Sequence, residues 1–212
     1  MRTIWRSTHR RNLHGIRTAA LTDREEAALC FRRIDEALTL LDQNDPITLG
    51  RLREYCDGIL VFGNETFQLA HWDESARLCV ITIPHVTSPN TTSADIALTL
   101  AHESMHARLG ALGARYVDGR RAHIEVLCAM AELASARRLS EPRLVQRVEA
   151  TLTRWATEGE ESWSDASHLE KGLSHLRELG VPNWIVRMTR KARRFTAGTE
   201  DGRRETRKGG GV

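Results

Sequence analysis

The residues most able to do chemistry together are His102, Glu103 and His106, in the run Leu98-Thr99-Leu100-Ala101-His102-Glu103-Ser104-Met105-His106. Histidines four apart lie on one face of a helix, about one turn from each other. Two imidazoles so placed can reach one ion at about 2.0–2.1 Å, the bond length that zinc takes with histidine nitrogen. Glu103 projects about 100° around the helix from His102. It need not touch the ion, and can instead take a proton from a water at an open coordination position. The spacing His-Glu-x-x-His is specific for zinc and much less specific for what the zinc does.

A third protein ligand must come from elsewhere. In one pattern a histidine follows six residues after the second, with a glycine between; those positions here are Leu112 and Leu109, which excludes it. The other solution is a carboxylate from a later helix, and Glu125 and Glu132 are both available. They are seven apart and share a helix face. Their neighbours Ile124, Val126, Leu127, Cys128, Ala129, Met130, Ala131 and Leu133 are apolar. A carboxylate in such company is costly unless it is paired or bound to metal. Glu125 lies nearer the start of its helix, and the short connection over 110–119 favours contact there. Glu125 is therefore the expected ligand, with Glu132 as an outer acceptor or an arginine's partner. Asp118 is the remaining carboxylate, in a glycine-flanked loop.

The stretch 93–139 resembles the catalytic core of gluzincin metallopeptidases, zinc enzymes of the zincin type. More narrowly, Thr99-Leu100-Ala101-His102-Glu103-Ser104-Met105-His106-Ala107-Arg108-Leu109 with Arg121-Ala122-His123-Ile124-Glu125 is similar to small bacterial metallopeptidases. The resemblance implies one zinc ion (Zn2+) on His102, His106 and Glu125, and a peptide or protein substrate. It implies that Glu103 removes a proton from water and later delivers it to the leaving amine. It also implies a group that steadies the oxyanion. Tyr116 is the expected residue, with Arg121 and His123 as alternatives; His123 stands about 200° from Glu125 on a regular helix, which counts against it. In zincins an edge strand over the cleft pairs with an extended substrate, and Leu78–Ile83 is the strand expected to do so. The rival expectation is a zinc-containing protein of the same fold that binds or regulates without cleaving peptides.

The elements that must hold these residues are legible around them. Ser93 reads as an N-cap with Asp95 in the first turn, and no breaker interrupts the helix expected over 94–109 before Gly110. The third-ligand helix is expected over 120–139, ahead of Pro142. Upstream, 22–42 has helical periodicity with Thr22 or Asp23 as cap, and a shorter helix is expected over 47–56. The runs 59–62, 67–71 and 78–83 are strand-like, with a hairpin turn over 72–75. Further helices are expected over 143–157, 165–179 and 184–195. The fold class expected is α+β: a mostly helical zincin-like domain over 22–196, with a small antiparallel sheet before the His-Glu-x-x-His helix. A basic arm over 1–21 and a disordered, glycine-rich tail over 197–212 flank it.

Bulk properties set the frame. The chain has 212 residues, of which 41% are hydrophobic, an ordinary share for a globular protein. No apolar run reaches the roughly 18–20 residues that a membrane span needs. The net charge of +3 is modest and gathers at the two ends, so nucleic acid is not an expected partner. Cys30, Cys56, Cys79 and Cys128 are scattered without a Cys-x-x-Cys pair. Buried free thiols in a reducing cytoplasm are the expectation. His71, His85, His168 and His175 are expected to be surface or hydrogen-bonded histidines.

Overall fold

The computed structural model describes residues 8–63, 69–114 and 120–158. The chain divides into two units, Met1–Glu160 and Glu161–Val212, and every described element belongs to the first. The helices expected over 165–179 and 184–195, the tail after Ala197, and Tyr116, Asp118, His168 and His175 lie outside the described residues.

Two strands open the unit, β1 (Thr8–Leu13) and β2 (Ile16–Leu21). They form an antiparallel hairpin where the sequence suggested a basic arm. His14 and Gly15, both at positive φ (50° and 82°), make the turn between them. Such turns match the right-handed twist of a two-stranded ribbon. Residues 10–12 expose polar and basic side chains, Thr8 and His9 are half-buried and only Leu13 is buried, so this strand lacks the apolar alternation that marks most strands.

Helices α1 (Arg24–Asn44) and α2 (Pro46–Tyr55) follow. Asp23 caps the first, accepting from the backbone N–H groups of Glu25 and Glu26. Asp45 ends α1 and caps α2 through the Thr48 N–H. The chain then runs through β3 (Gly58–Val61), β4 (Ala70–Asp73) and β5 (Leu78–Ile81). A short helix α3 (Ile83–Thr87) comes next, with Pro84 in its first turn. Three long helices complete the unit: α4 (Ser93–Ala111), α5 (Arg121–Arg138) and α6 (Pro142–Glu158).

The strands make one five-stranded sheet in the order β1-β2-β3-β5-β4. The expectation of an antiparallel sheet is corrected: β2, β3 and β5 are mutually parallel, and only the two outer strands run against their neighbours. Parallel neighbours need a crossover, and α1 with α2 supplies it between β2 and β3. A second correction concerns Leu78–Ile83. Residues 78–81 are an interior strand between β3 and β4, and the outer strand is β4. Thr82 and Ile83 leave the sheet to cap and begin α3.

Register sorts the side chains into layers. Thr18, Ile59, Cys79 and Trp72 are cross-strand partners in one row, and Ala20, Val61, Ile81 and Ala70 in a parallel one. These rows share a face, because side chains two apart on a strand point the same way. They pack into the main core with Ile34, Leu38 and Leu41 of α1, Leu49 and Leu52 of α2, and Ile96, Ala97 and Leu100 of α4. The close approach of β2 and β3 requires Gly58, where a Cβ would stand 2.5 Å from the Arg17 carbonyl oxygen. A second core joins Ala94 and Leu98 of α4 to Ala129 and Ala136 of α5 and Leu144 and Val148 of α6. Helix α4 thus lies between two cores, and its side chains are buried on nearly every side.

Candidate metal centre

Helix α4 is fixed at its start by a reciprocal cap. The Thr92 hydroxyl accepts from the Asp95 N–H at 3.1 Å, and the Asp95 carboxylate accepts from the Thr92 N–H at 2.9 Å. Thr92, and not the expected Ser93, is therefore the N-cap. Asp95 makes the difference: three residues beyond Thr92, it returns the bond as capping-box geometry requires. The helix also runs past Gly110, and Gly113 is the glycine at positive φ beyond its end.

Two turns into α4, His102 and His106 point their Nε2 atoms at one another, 3.3 Å apart. Helix α5 brings Glu125 against both. Its Oε2 is 3.2 Å from the His102 Nε2, and its Oε1 is 3.4 Å from the His106 Nε2. These separations lie at the long end for hydrogen bonds, whose N···O distances centre near 2.9–3.0 Å. They match the edge of a tetrahedron around an ion: bonds of about 2.0–2.1 Å place neighbouring ligands about 3.3 Å apart. The three donor groups, two neutral-capable imidazoles and a carboxylate, are the set that zinc takes at sites with an open position.

Glu132 lies two turns further along α5. Its Oε2 is 3.4 Å from the other nitrogen of His102, Nδ1. It thus stands behind His102, where a carboxylate fixes the tautomer and the ring orientation of a ligating histidine. The helix connection explains the division of labour. The loop between α4 and α5 is short, so the first turns of α5 meet the last half of α4, and Glu125 reaches the histidine pair first.

The electrostatics follow from burial and proximity. Burial alone would lower the His102 pKa, but the carboxylates of Glu125, Glu132 and Glu103 raise it to about 10. Burial opposes ionisation of Glu125, yet its hydrogen bonds with the two imidazoles hold it well below the usual carboxylate range. Glu103 behaves differently. It is buried, burial raises its pKa, and the imidazolium character nearby offsets that only in part. Its Oε2 has no hydrogen-bond partner among the described residues. A buried polar oxygen without a partner is costly, and here it sits on the residue next to His102 in the histidine pair.

Cys128 is a donor that sequence reasoning treated only as a buried thiol. His102, His106 and Cys128 present ligand atoms that all lie within 4.8 Å of one another, and this cluster could hold a metal ion. Cys128 is on α5, one turn after Glu125, so the i to i+3 spacing of helix neighbours was the signal. Burial and the adjacent carboxylates push its thiol well above its ordinary pKa, which disfavours the thiolate that metals bind.

The remaining expected groups are spread out. Arg121 opens α5, four residues before Glu125 and on the same face, and is half-buried. His123 is exposed. His85 is buried and its Nε2 is 2.9 Å from the Thr99 hydroxyl, a hydrogen-bonded core histidine. His71 is exposed on β4. No protein-family model, curated protein or solved structure matches the chain.

Proposed function

We propose that this chain is a zinc-dependent hydrolase of peptide bonds, holding the ion with His102, His106 and Glu125. The observation that carries this reading is the convergence of two imidazole Nε2 atoms, 3.3 Å apart, on the Glu125 carboxylate, whose Oε2 and Oε1 lie 3.2 and 3.4 Å from them, beside a buried Glu103 oxygen with no partner among the described residues. A bound zinc ion supplies Lewis acidity, polarising a substrate carbonyl and making a water easier to deprotonate. Glu103 accepts that proton; its raised pKa suits it to hold the proton and return it to the departing amine nitrogen. Glu132 keeps the His102 ring in place through Nδ1. An extended peptide would lie along β4, the outer strand, whose Trp72 stands 3.8 Å from where a side chain on Gly110 of α4 would begin. Pairing with a strand edge gives affinity through backbone bonds and leaves specificity to side-chain pockets.

Cys128 favours a second reading. A site closed by two histidines, a carboxylate and a thiolate has the four ligands of a structural zinc centre and no open position. Such a protein would keep the ion for folding or binding and cleave nothing.

The experiment measures zinc content and then cleavage of an unstructured protein substrate, with and without chelator. The first reading expects close to one zinc per chain, activity lost with chelator and regained with zinc, and a Glu103→Gln variant that keeps zinc but not activity. A wild-type chain without bound zinc, or a Glu103→Gln variant that still cleaves, removes the proposal. Full zinc with no cleavage of any substrate leaves the second reading.

A further inference from the structure

Beyond its ligands, the metal centre is tied to α6 through the Arg147 side chain. The Arg147 guanidinium holds two carboxylates at once. Its Nη1 is 2.5 Å from Asp95 Oδ1, and its Nη2 is 3.7 Å from Glu132 Oε1. The other oxygen of Glu132 faces His102 Nδ1 at 3.4 Å. Asp95 is itself immobilised: its Oδ2 accepts from the Thr92 N–H at 2.9 Å, from the Thr92 hydroxyl at 2.6 Å and from Arg143 Nη2 at 2.9 Å. Asp95 and His102 are seven residues apart on α4, two turns along one face. Arg147 therefore leans on the capped start of α4 and reaches towards the carboxylate behind the zinc-binding ring.

We propose that Arg147 is a positioning residue of the metal centre, setting Glu132 against His102 from an anchor at Asp95. The inference rests on the zinc reading above. Without the arginine, Glu132 keeps a half-buried charge with no cation on its outer oxygen among the described residues, and turns away from its present geometry towards solvent. Its hold on the His102 ring then weakens, although no ligand has been touched. Arg143 provides the internal comparison. It binds the same Asp95 but has no contact with Glu132 among the described residues, so its removal costs helix-to-helix attachment without disturbing the carboxylate.

The test is zinc affinity of the full chain, measured by competition with a chelator, alongside thermal unfolding of the metal-free protein. Arg147→Met should weaken zinc binding about fivefold, less than the roughly 10–100-fold that loss of a direct outer partner costs. Arg143→Met should lower the melting temperature to a similar degree and leave zinc affinity at the wild-type value. In a Glu132→Gln background, Arg147→Met should add no further loss of affinity. Should Arg147→Met fail to fold, Arg147→Lys carries the same comparison, since one ammonium cannot serve both carboxylates with a fork. Equal zinc affinities in the wild type and the arginine variant overturn the inference, as does an equal loss in Arg143→Met. A wild-type chain that binds no zinc overturns the zinc reading itself, a different result from either.

Discussion

At the scale of single residues, Glu125, Cys128 and Glu132 compete for the role of third ligand, all on α5. Glu125 touches both histidines and is already ionised, whereas Cys128 must lose a proton that its burial and its acidic neighbours hold. Glu132 faces the wrong nitrogen of His102 to share the ion with His106. The expected order of zinc affinity, measured by chelator competition, is wild type, then Cys128→Ser close to it, then Glu132→Ala, then Glu125→Ala with the largest loss. Retention of zinc by Glu125→Ala together with its loss in Cys128→Ser would make Cys128 the third ligand, whereas strong losses in both variants would favour the closed site. The pair His102 and His106 was legible because four residues make about one helical turn. The nearness of Glu125, rather than Glu132, to the Nε2 atoms of both histidines was foreshadowed by the short connection. Cys128 was marked only by its spacing from Glu125, a weak signal, because a cysteine in an apolar helix has the same pattern whether or not its sulfur faces a donor pair.

At the scale of elements, the two helices of the site were readable to within two residues, since polar capping residues and glycines bracket the first and Pro142 follows the second. The start of α4 shows the limit of that reading: threonine and serine stand side by side, and the reciprocal bond to Asp95 decides between them. Thr92→Ala removes an N-cap acceptor, a change that typically costs about 1 kcal/mol. Urea unfolding should register a loss of that order, with Ser93→Ala clearly smaller; equal losses would return the cap to Ser93. The sheet was the least legible part. Strand β1 carries arginines where a half-buried strand carries alternating apolar residues, and charge on an outer strand guards it against pairing with other chains. Arg11 of this strand also lies over the Phe31 ring at 5.1 Å. Parallel order among β2, β3 and β5 depends on partners far apart in sequence, and no local pattern encodes it.

Across the whole unit, His85 and Asp95 make stability depend on acidity away from the candidate ligands. His85 has its pKa lowered by burial. The unfolded chain therefore takes up a proton below about 6.5 that the folded chain resists, and stability falls as pH drops through that value. Asp95 is shifted the other way relative to its charged form. Burial works against its ionisation, but hydrogen bonds from Thr92, Arg143 and Arg147 lower its pKa to about 2. Its contribution, about 2 kcal/mol by linkage, is present above the unfolded value near 3.9 and is lost as pH falls towards 2. Urea midpoints of the metal-free protein should decline in both windows, with Glu125 adding to the lower one, and Asp95→Asn should make the lower decline shallower while leaving the upper one as it is; an unchanged slope between pH 4 and 2 in that variant would refute this account. Helices α4 and α5 carry the proposed ligands within residues 102–125, while β2 must find β3 across the whole length of α1 and α2. Contacts close in sequence form sooner than those that must close long loops. An ion captured by the α4–α5 pair would therefore act on the folding barrier as well as on the finished fold. Stopped-flow refolding should then be faster with zinc present, whereas an ion recognised only by the completed site would slow unfolding and leave the refolding rate alone.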